Sequence, residues 1–235
     1  MKTIGLLGGM SWESTVPYYQ IINRAVAEQL GGLHSAKIIL YSVDFDDIEQ
    51  LQHSNRWAEA GELLSEAGVA LQNAGADFLV LCTNTMHRVA PEIEARVRIP
   101  LLHIADPTAE ALKASGVSTV GLLGTKFTME QDFYRGRLET KFGLTVHVPD
   151  PISRDLVHDV IYKELCRGII SQGSRENFLR VVSQLAQMRA QAIVLGCTEI
   201  GLLLRASDVS VPLYDTTFLH ARAAASLALD SSAGA

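Results

Sequence analysis

Two short polar clusters, each at the end of an apolar run, hold the groups in this chain best suited to moving a proton at carbon. Cys82-Thr83-Asn84-Thr85 follows FLVL, and Cys197-Thr198-Glu199 follows AIVLG. A free cysteine titrates near ~8.5, so a modest depression by backbone amides or a substrate ammonium makes a thiolate base at neutral pH. A threonine hydroxyl is a poor base, but it donates a proton to a carbanion or relays one through water. Asn84, Thr85 and Thr198 are amide and hydroxyl donors of the kind that hold a carboxylate and the enolate-like charge beside it. Glu199 can orient a substrate ammonium or tune Cys197; alone, it would only cap the helix that follows.

The two clusters are copies of one plan. IGLLGG at 4–9 returns as VGLLGT at 120–125, AGADFLVLCTNT as RAQAIVLGCTE, and IPLLHIADPT as VPLYDTTFL, in the same order. Buried strands share valine and leucine by composition alone, but that does not explain the polar ends or the common proline. Aligning Val80-Leu81 on Val194-Leu195 sets Thr83 opposite Cys197, Cys82 opposite Gly196 and Asn84 opposite Thr198. A one-residue shift along a strand turns a side chain to the other face, so Thr83 rather than Cys82 takes the first position. Two halves facing each other about a pseudo-twofold axis would bring Thr83 and Cys197 to opposite sides of one ligand. Inverting a stereocentre requires that arrangement.

The elements that must present these groups are short apolar strands alternating with helical patterns. Strands are expected at Thr3–Leu7, Lys37–Val43, Asp77–Cys82, Leu101–Ile104, Thr119–Leu123, Leu144–Val148, Ala192–Gly196 and Pro212–Tyr214, and helices at Trp57–Asn73 and Ser174–Arg189 among others. Continuous apolar strands separated by helices predict α/β architecture with parallel sheets covered on both faces. Glycine at 75 and at 143 stops helices before strands. The expected halves are 1–105 with a C-terminal helix returning over 212–235, and 106–211. The LDSSAGA tail reads as frayed. In open parallel sheets ligands lie beyond the carboxyl ends of the strands, where both clusters fall. The Gly8-Gly9-Met10-Ser11 turn can aim amides at an anion or simply be tight. Thr125 and Thr128 occupy the matching second turn. Beyond strand two, DFDDIEQLQHSNR offers Gln52 and Arg56 for a distal carboxylate, Arg56 being the more attractive on charge.

Composition narrows the function. Of 235 residues, 48% are hydrophobic and 20% charged, enough for full cores, and the net charge of −6 disfavours nucleic acid or an anionic membrane as partner. No apolar stretch reaches ~18 uncharged residues, and no targeting signal is evident, so a soluble, cytoplasmic protein is expected. Three cysteines without CxxC spacing fit neither a disulfide framework nor a zinc site. No metal is expected from the seven histidines, which lack clustered ligand spacing. GxGxxG and GxxxxGK[ST] are both missing, which disfavours a dinucleotide or ATP. Cys82 and Cys166 read as packing residues, and His87 as a support for the first cluster or a structural histidine.

Four segments together, IGLLGGMSWEST, CTNTMH at 82–87, GTKFTMEQDFY at 124–134 and GCTEIGLL at 196–203, resemble the aspartate/glutamate racemase superfamily over Met1 to about Leu227. The resemblance implies two Rossmann-like halves with the active site between them, no cofactor, a small amino-acid substrate and a homodimer. It also implies a cysteine from each half as the acid/base pair. Here the usual Cys-Asn-Thr reads Thr83-Asn84-Thr85, which is closest to the L-aspartate/glutamate-specific subgroup with its Thr/Cys pair. On that likeness Cys197 takes the Cα proton of the L enantiomer, the Thr83 side reprotonates, and Met10, Ser11 and Gln52 join Asn84, Thr85, Thr125, Thr128, Thr198 and Glu199 in holding substrate. A single-cysteine decarboxylase of the arylmalonate type and a ligand-binding relative without activity are the alternatives. The polar strand ends disfavour the first, and retention of Cys197 the second.

Overall fold

The computed structural model describes residues 1–230; residues 231–235, with most of the LDSSAGA tail, lie outside the described residues. Two units are formed, Met1–Ile104 with the stretch beginning at His220, and Ala105–Leu219.

The first unit is built on a parallel sheet of order β2-β1-β3-β4, with β1 at Ile4–Gly8, β2 at Ile38–Ser42, β3 at Phe78–Leu81 and β4 at Leu101–Leu102. Both central strands are wholly buried, as their unbroken apolar runs require. Helices α1 (Trp12–Leu30), α2 (Phe45–His53), α3 (Trp57–Asn73) and α4 (Ala90–Arg96) fill the connections. One core joins Ile4, Leu6, Phe78 and Val80 to Tyr18 and Ile22 of α1 and to Ala221, Ala224, Ala225 and Ala228. Burial of each large apolar side chain there contributes about 1.5–3 kcal/mol.

The second unit repeats that strand order as β6-β5-β7-β8, with β5 at Thr119–Gly124, β6 at Thr145–His147, β7 at Ala192–Gly196 and β8 at Leu213–Asp215. Its helices are α5 (Ala105–Ala114), α6 (Lys126–Glu130), α7 (Arg135–Phe142), α8 (Pro151–Lys163), α9 (Gln172–Gln187) and α10 (Ile200–Leu203), and α11 covers Thr216–Leu229. The expected boundary at 212 needs correction. Leu213 pairs with Ile193 and Asp215 with Leu195, so β8 completes the second sheet and residues 212–219 belong to that unit.

Other departures have local causes. Helix α9 starts two residues ahead of its apolar pattern because the Ser171 hydroxyl accepts the Ser174 amide, a cap invisible to hydrophobic periodicity. It ends before Arg189, whose φ of 67° lies in the left-handed region. Strand β4 stops at Leu102, and the Ile104 amide is bonded to a histidine side chain. No helix among the described residues is long and apolar enough to cross a membrane.

The turn after β1 tolerates no side chain. Gly9 has φ of 93°, and a Cβ there would meet the Val43 carbonyl oxygen at 2.3 Å. Gly143 closes α7 at φ 71° with nothing within 4 Å of such an atom. Gly143→Ala is therefore expected to cost about 1 kcal/mol, the conformational term alone. Gly9→Ala should cost at least twice as much, read from denaturant unfolding of the two variants side by side.

Candidate active site

In the second unit β7 ends at Gly196, where a Cβ would lie 2.8 Å from Leu122 Cδ1 and 2.9 Å from the Leu123 carbonyl oxygen. The strand thus packs tightly against β5 up to its last residue, and the next three side chains stand at a firmly held carboxyl end. Cys197, Thr198 and Glu199 are all buried, and Glu199 is only 2% exposed. The Cys197 thiol donates to Glu199 Oε2 at 3.1 Å, and the Thr198 hydroxyl donates to the same oxygen at 2.7 Å. The other carboxylate oxygen, Oε1, accepts from the Cys166 thiol at 3.7 Å. A buried carboxylate needs such donors, because it has left its water behind.

This arrangement works against a thiolate at Cys197. Burial holds the Cys197 thiol well above its ordinary range, and the Glu199 charge and then Cys166 add to that, opposed in part by a bond from the Glu199 backbone. The depression expected from backbone amides and a substrate ammonium is opposed, in the protein by itself, by burial and by Glu199. Cys197 rests as a thiol whose hydrogen faces a carboxylate, so its proton has a defined acceptor.

In the first unit Thr83, Asn84 and Thr85 follow β3 and are buried, leading into a 3₁₀ turn at Thr85–Val89. His87, on that turn, reaches back: its Nδ1 lies 2.7 Å from the Thr83 carbonyl oxygen, while its Nε2 accepts the Ile104 amide at 3.2 Å. These partners assign the neutral tautomer with hydrogen on Nδ1. The ring ties the end of β3 to the chain just past β4. Behind it His220 takes the opposite tautomer, donating from Nε2 to the Leu102 carbonyl at 2.8 Å and accepting the Tyr18 hydroxyl on Nδ1 at 2.9 Å. His103 packs on His87 at a ring separation of 4.4 Å.

Cys82 points elsewhere. It is fully buried in the core with Ile4, Tyr18 and Ala221, and burial alone pushes its thiol upward. Gln52 is 3% exposed and donates to Met86 Sδ at 2.9 Å, on the turn that follows the first cluster. Arg56 is exposed and forms a fork with the Glu59 carboxylate. Met10 and Ser11 are buried between β1 and α1. The Gly9 amide is not aimed at a ligand: Thr15 Oγ1 accepts it at 2.9 Å, and the Ser11 carbonyl takes the hydroxyls of Ser14 and Thr15. Thr125 and Thr128, also buried, share a hydroxyl–hydroxyl bond of 3.2 Å and close the first turn of α6. Cys166, read from the sequence as a packing residue, is placed beside Glu199 from 33 positions away. Only the long-range fold carries that signal.

The chain matches the model of the Asp/Glu/hydantoin racemase family over residues 7–224. It is 22% identical to the broad specificity amino-acid racemase RacX of Bacillus subtilis over 235 residues, spanning 95% of this chain and 96% of that one. Its structure is similar to that of a candidate Asp/Glu racemase from Yersinia pestis, with a TM-score of 0.91, 58% identity and coverage of 98% and 100%. It is also similar to an aspartate racemase homologue from Pyrococcus horikoshii, with a TM-score of 0.83, 33% identity and coverage of 98% and 100%. The pair of four-stranded parallel sheets matches the two-domain fold of these racemases.

Glu199→Gln removes a charge that opposes the Cys197 thiolate, so the pH midpoint for alkylation of Cys197 should move down, followed peptide by peptide with iodoacetamide. His87→Phe keeps the ring but loses both bonds at Thr83 and Ile104. It should cost about 2 kcal/mol in denaturant unfolding, because a buried donor and acceptor are left unmet.

Proposed function

Because the chain belongs to the Asp/Glu/hydantoin racemase family, we propose that it is an aspartate/glutamate racemase that works without pyridoxal phosphate and favours the L enantiomer. The observation that carries this reading is the Cys197 thiol hydrogen-bonded to the buried Glu199 carboxylate at the end of β7. A pair of that kind supplies both a base and a place for the base's own proton. Thr83, at the matched end of β3, supplies the donor for the opposite face.

Protons balance over a full turnover once Glu199 gives the proton it received to solvent and Thr83, or its water, takes one back from solvent. The Sγ hydrogen of Cys197 passes to Glu199 Oε2, and the thiolate takes the Cα hydrogen of the L substrate. The electron pair of the broken C–H bond spreads into the α-carboxylate, which Asn84 and Thr85 hold through side-chain donors and Thr198 through its backbone amide, its hydroxyl being committed to Glu199. A proton from the Thr83 hydroxyl, or from a water it holds, reaches Cα on the other face. The substrate ammonium offsets the Glu199 charge and lowers the cost of forming the thiolate. Because thiol and hydroxyl differ so widely in acidity, α-proton exchange is unequal: a carbanion formed at Cys197 is reprotonated there more often than it crosses to the Thr83 face, while net interconversion remains bound by the equal free energies of the enantiomers.

Gln52 is the group proposed for the distal carboxylate, since it is buried beside the first cluster while Arg56 spends its fork on Glu59. Met10 and Ser11 flank the same strand ends. Thr125 and Thr128 are proposed to contribute through the turn that their mutual bond closes. A homodimer and a cytoplasmic setting complete the reading.

Exchange of the α-proton in deuterated water, followed by NMR for each enantiomer of aspartate and glutamate, is the test. L-substrate should exchange far faster than D; equal rates would remove the asymmetry, and no exchange would dismiss racemisation. Cys197→Ala should lower the L rate by at least about 100-fold. Thr83→Cys should raise exchange of the D enantiomer, because a thiol then stands on that face.

A further inference from the structure

The three thiols of the chain differ in what surrounds them. Cys82 has apolar neighbours and the Val80 carbonyl, 3.6 Å away. Cys197 and Cys166 address one carboxylate from different segments: Oε2 of Glu199 takes the Cys197 thiol and the Thr198 hydroxyl, and Oε1 faces the Cys166 thiol.

Cys166 is carried by a turn built to hold still. It lies in the 3₁₀ segment Leu165–Arg167, directly after α8, and Gly168 closes that segment in the left-handed region at φ 70°. Leu165 is fully buried. The Glu164 carbonyl accepts the amides of Arg167 and Ile169, and the Glu164 carboxylate takes the Ser174 hydroxyl at 2.7 Å. The turn is therefore anchored to both α8 and α9, and the Cys166 side chain has little freedom to leave Glu199.

A carboxylate turns about its last side-chain bond, and two donors on one oxygen leave that rotation and the tilt of the plane loosely specified. A donor on the second oxygen removes this freedom. We propose that Cys166 is a positioning residue: its thiol, on Glu199 Oε1, fixes the carboxylate so that Oε2 faces the Cys197 thiol. The inference rests on the reading of Cys197 as the base, and it adds a third participant that acts through Glu199. The titratable groups that act on Cys197 are Glu199 and Cys166, and the one that acts on Cys166 is Glu199. The thiol–carboxylate–thiol line is thus the unit that any change at Cys166 perturbs.

The sign of the effect follows from the charges. While Glu199 is held against Cys197, its charge opposes the thiolate; when Cys166 no longer holds Oε1, the carboxylate can swing away and that opposition weakens. In Cys166→Ala the pH midpoint for iodoacetamide alkylation of Cys197 should fall by about half a unit to one unit. Exchange of L-substrate should slow about tenfold in kcat with KM nearly unchanged, because the proton of Cys197 has lost its aimed acceptor. Cys166→Ser keeps a donor on the turn and should lie between wild type and Cys166→Ala in both readouts. Cys82→Ala removes a thiol from the same chain and should leave the Cys197 midpoint in place. An unmoved midpoint in Cys166→Ala, or identical values for the serine and alanine variants, overturns the inference. The alkylation readout needs no turnover. Absence of exchange in the wild type would therefore overturn the proposed reaction alone, whereas a normal reaction with an unmoved midpoint would overturn only the role of Cys166.

Discussion

The hydrogen bond from the Cys197 thiol to the Glu199 carboxylate, 3.1 Å long and buried, is the constraint on which the proposed chemistry depends. A thiol in a dry site is a weak acid and its thiolate a costly ion, since no water stabilises the charge. A carboxylate at hydrogen-bonding distance lets the proton move without leaving the site, so the charge changes place rather than appearing anew. The fold meets the cost of burying that carboxylate by gathering donors around it. Thr198 comes from the same strand end, and Cys166 from the turn beyond α8.

Two otherwise similar strand ends therefore present different groups. The second carries a thiol and a carboxylate in contact. The first carries hydroxyl and amide groups, with Thr83 held through its carbonyl by a neutral histidine that also receives the Ile104 amide. A histidine in that role acts as a strut: one ring nitrogen gives a hydrogen bond, the other takes one, and the tautomer is set by the backbone on either side. The repeated βα plan supplies matched positions, and the different residues at those positions make the two strand ends chemically unequal.

Much of the fold was legible in the amino-acid order. Ala192–Gly196 is read as a strand and is one, because continuous apolar residues ending in a glycine that fits only against β5 leave few alternatives. Trp57–Asn73 is a helix with the bounds its periodicity implies. Where the reading slipped, a side chain had taken over a backbone group: Ser171 starts α9 early, and the bond from Ile104 to His87 accompanies an early end to β4. The assignment of 212–219 to the first half failed for another reason. Strand pairing joins segments by hydrogen bonds across the sheet, and nothing local to Leu213 states that its neighbour is Ile193.

The sequence by itself determined the parallel α/β class, the internal repeat, the position of polar groups at two strand ends and the family, since each follows from local pattern and residue type. Only the tertiary structure decided which groups face each other. It buried Cys197 and set a carboxylate against it, both of which raise its thiol. It sent Cys82 into an apolar core, spent the Gly9 amide on Thr15, and brought Cys166 to the far oxygen of Glu199. Burial and pairing govern the acidity of a side chain, and both are properties of contacts between residues remote in the chain.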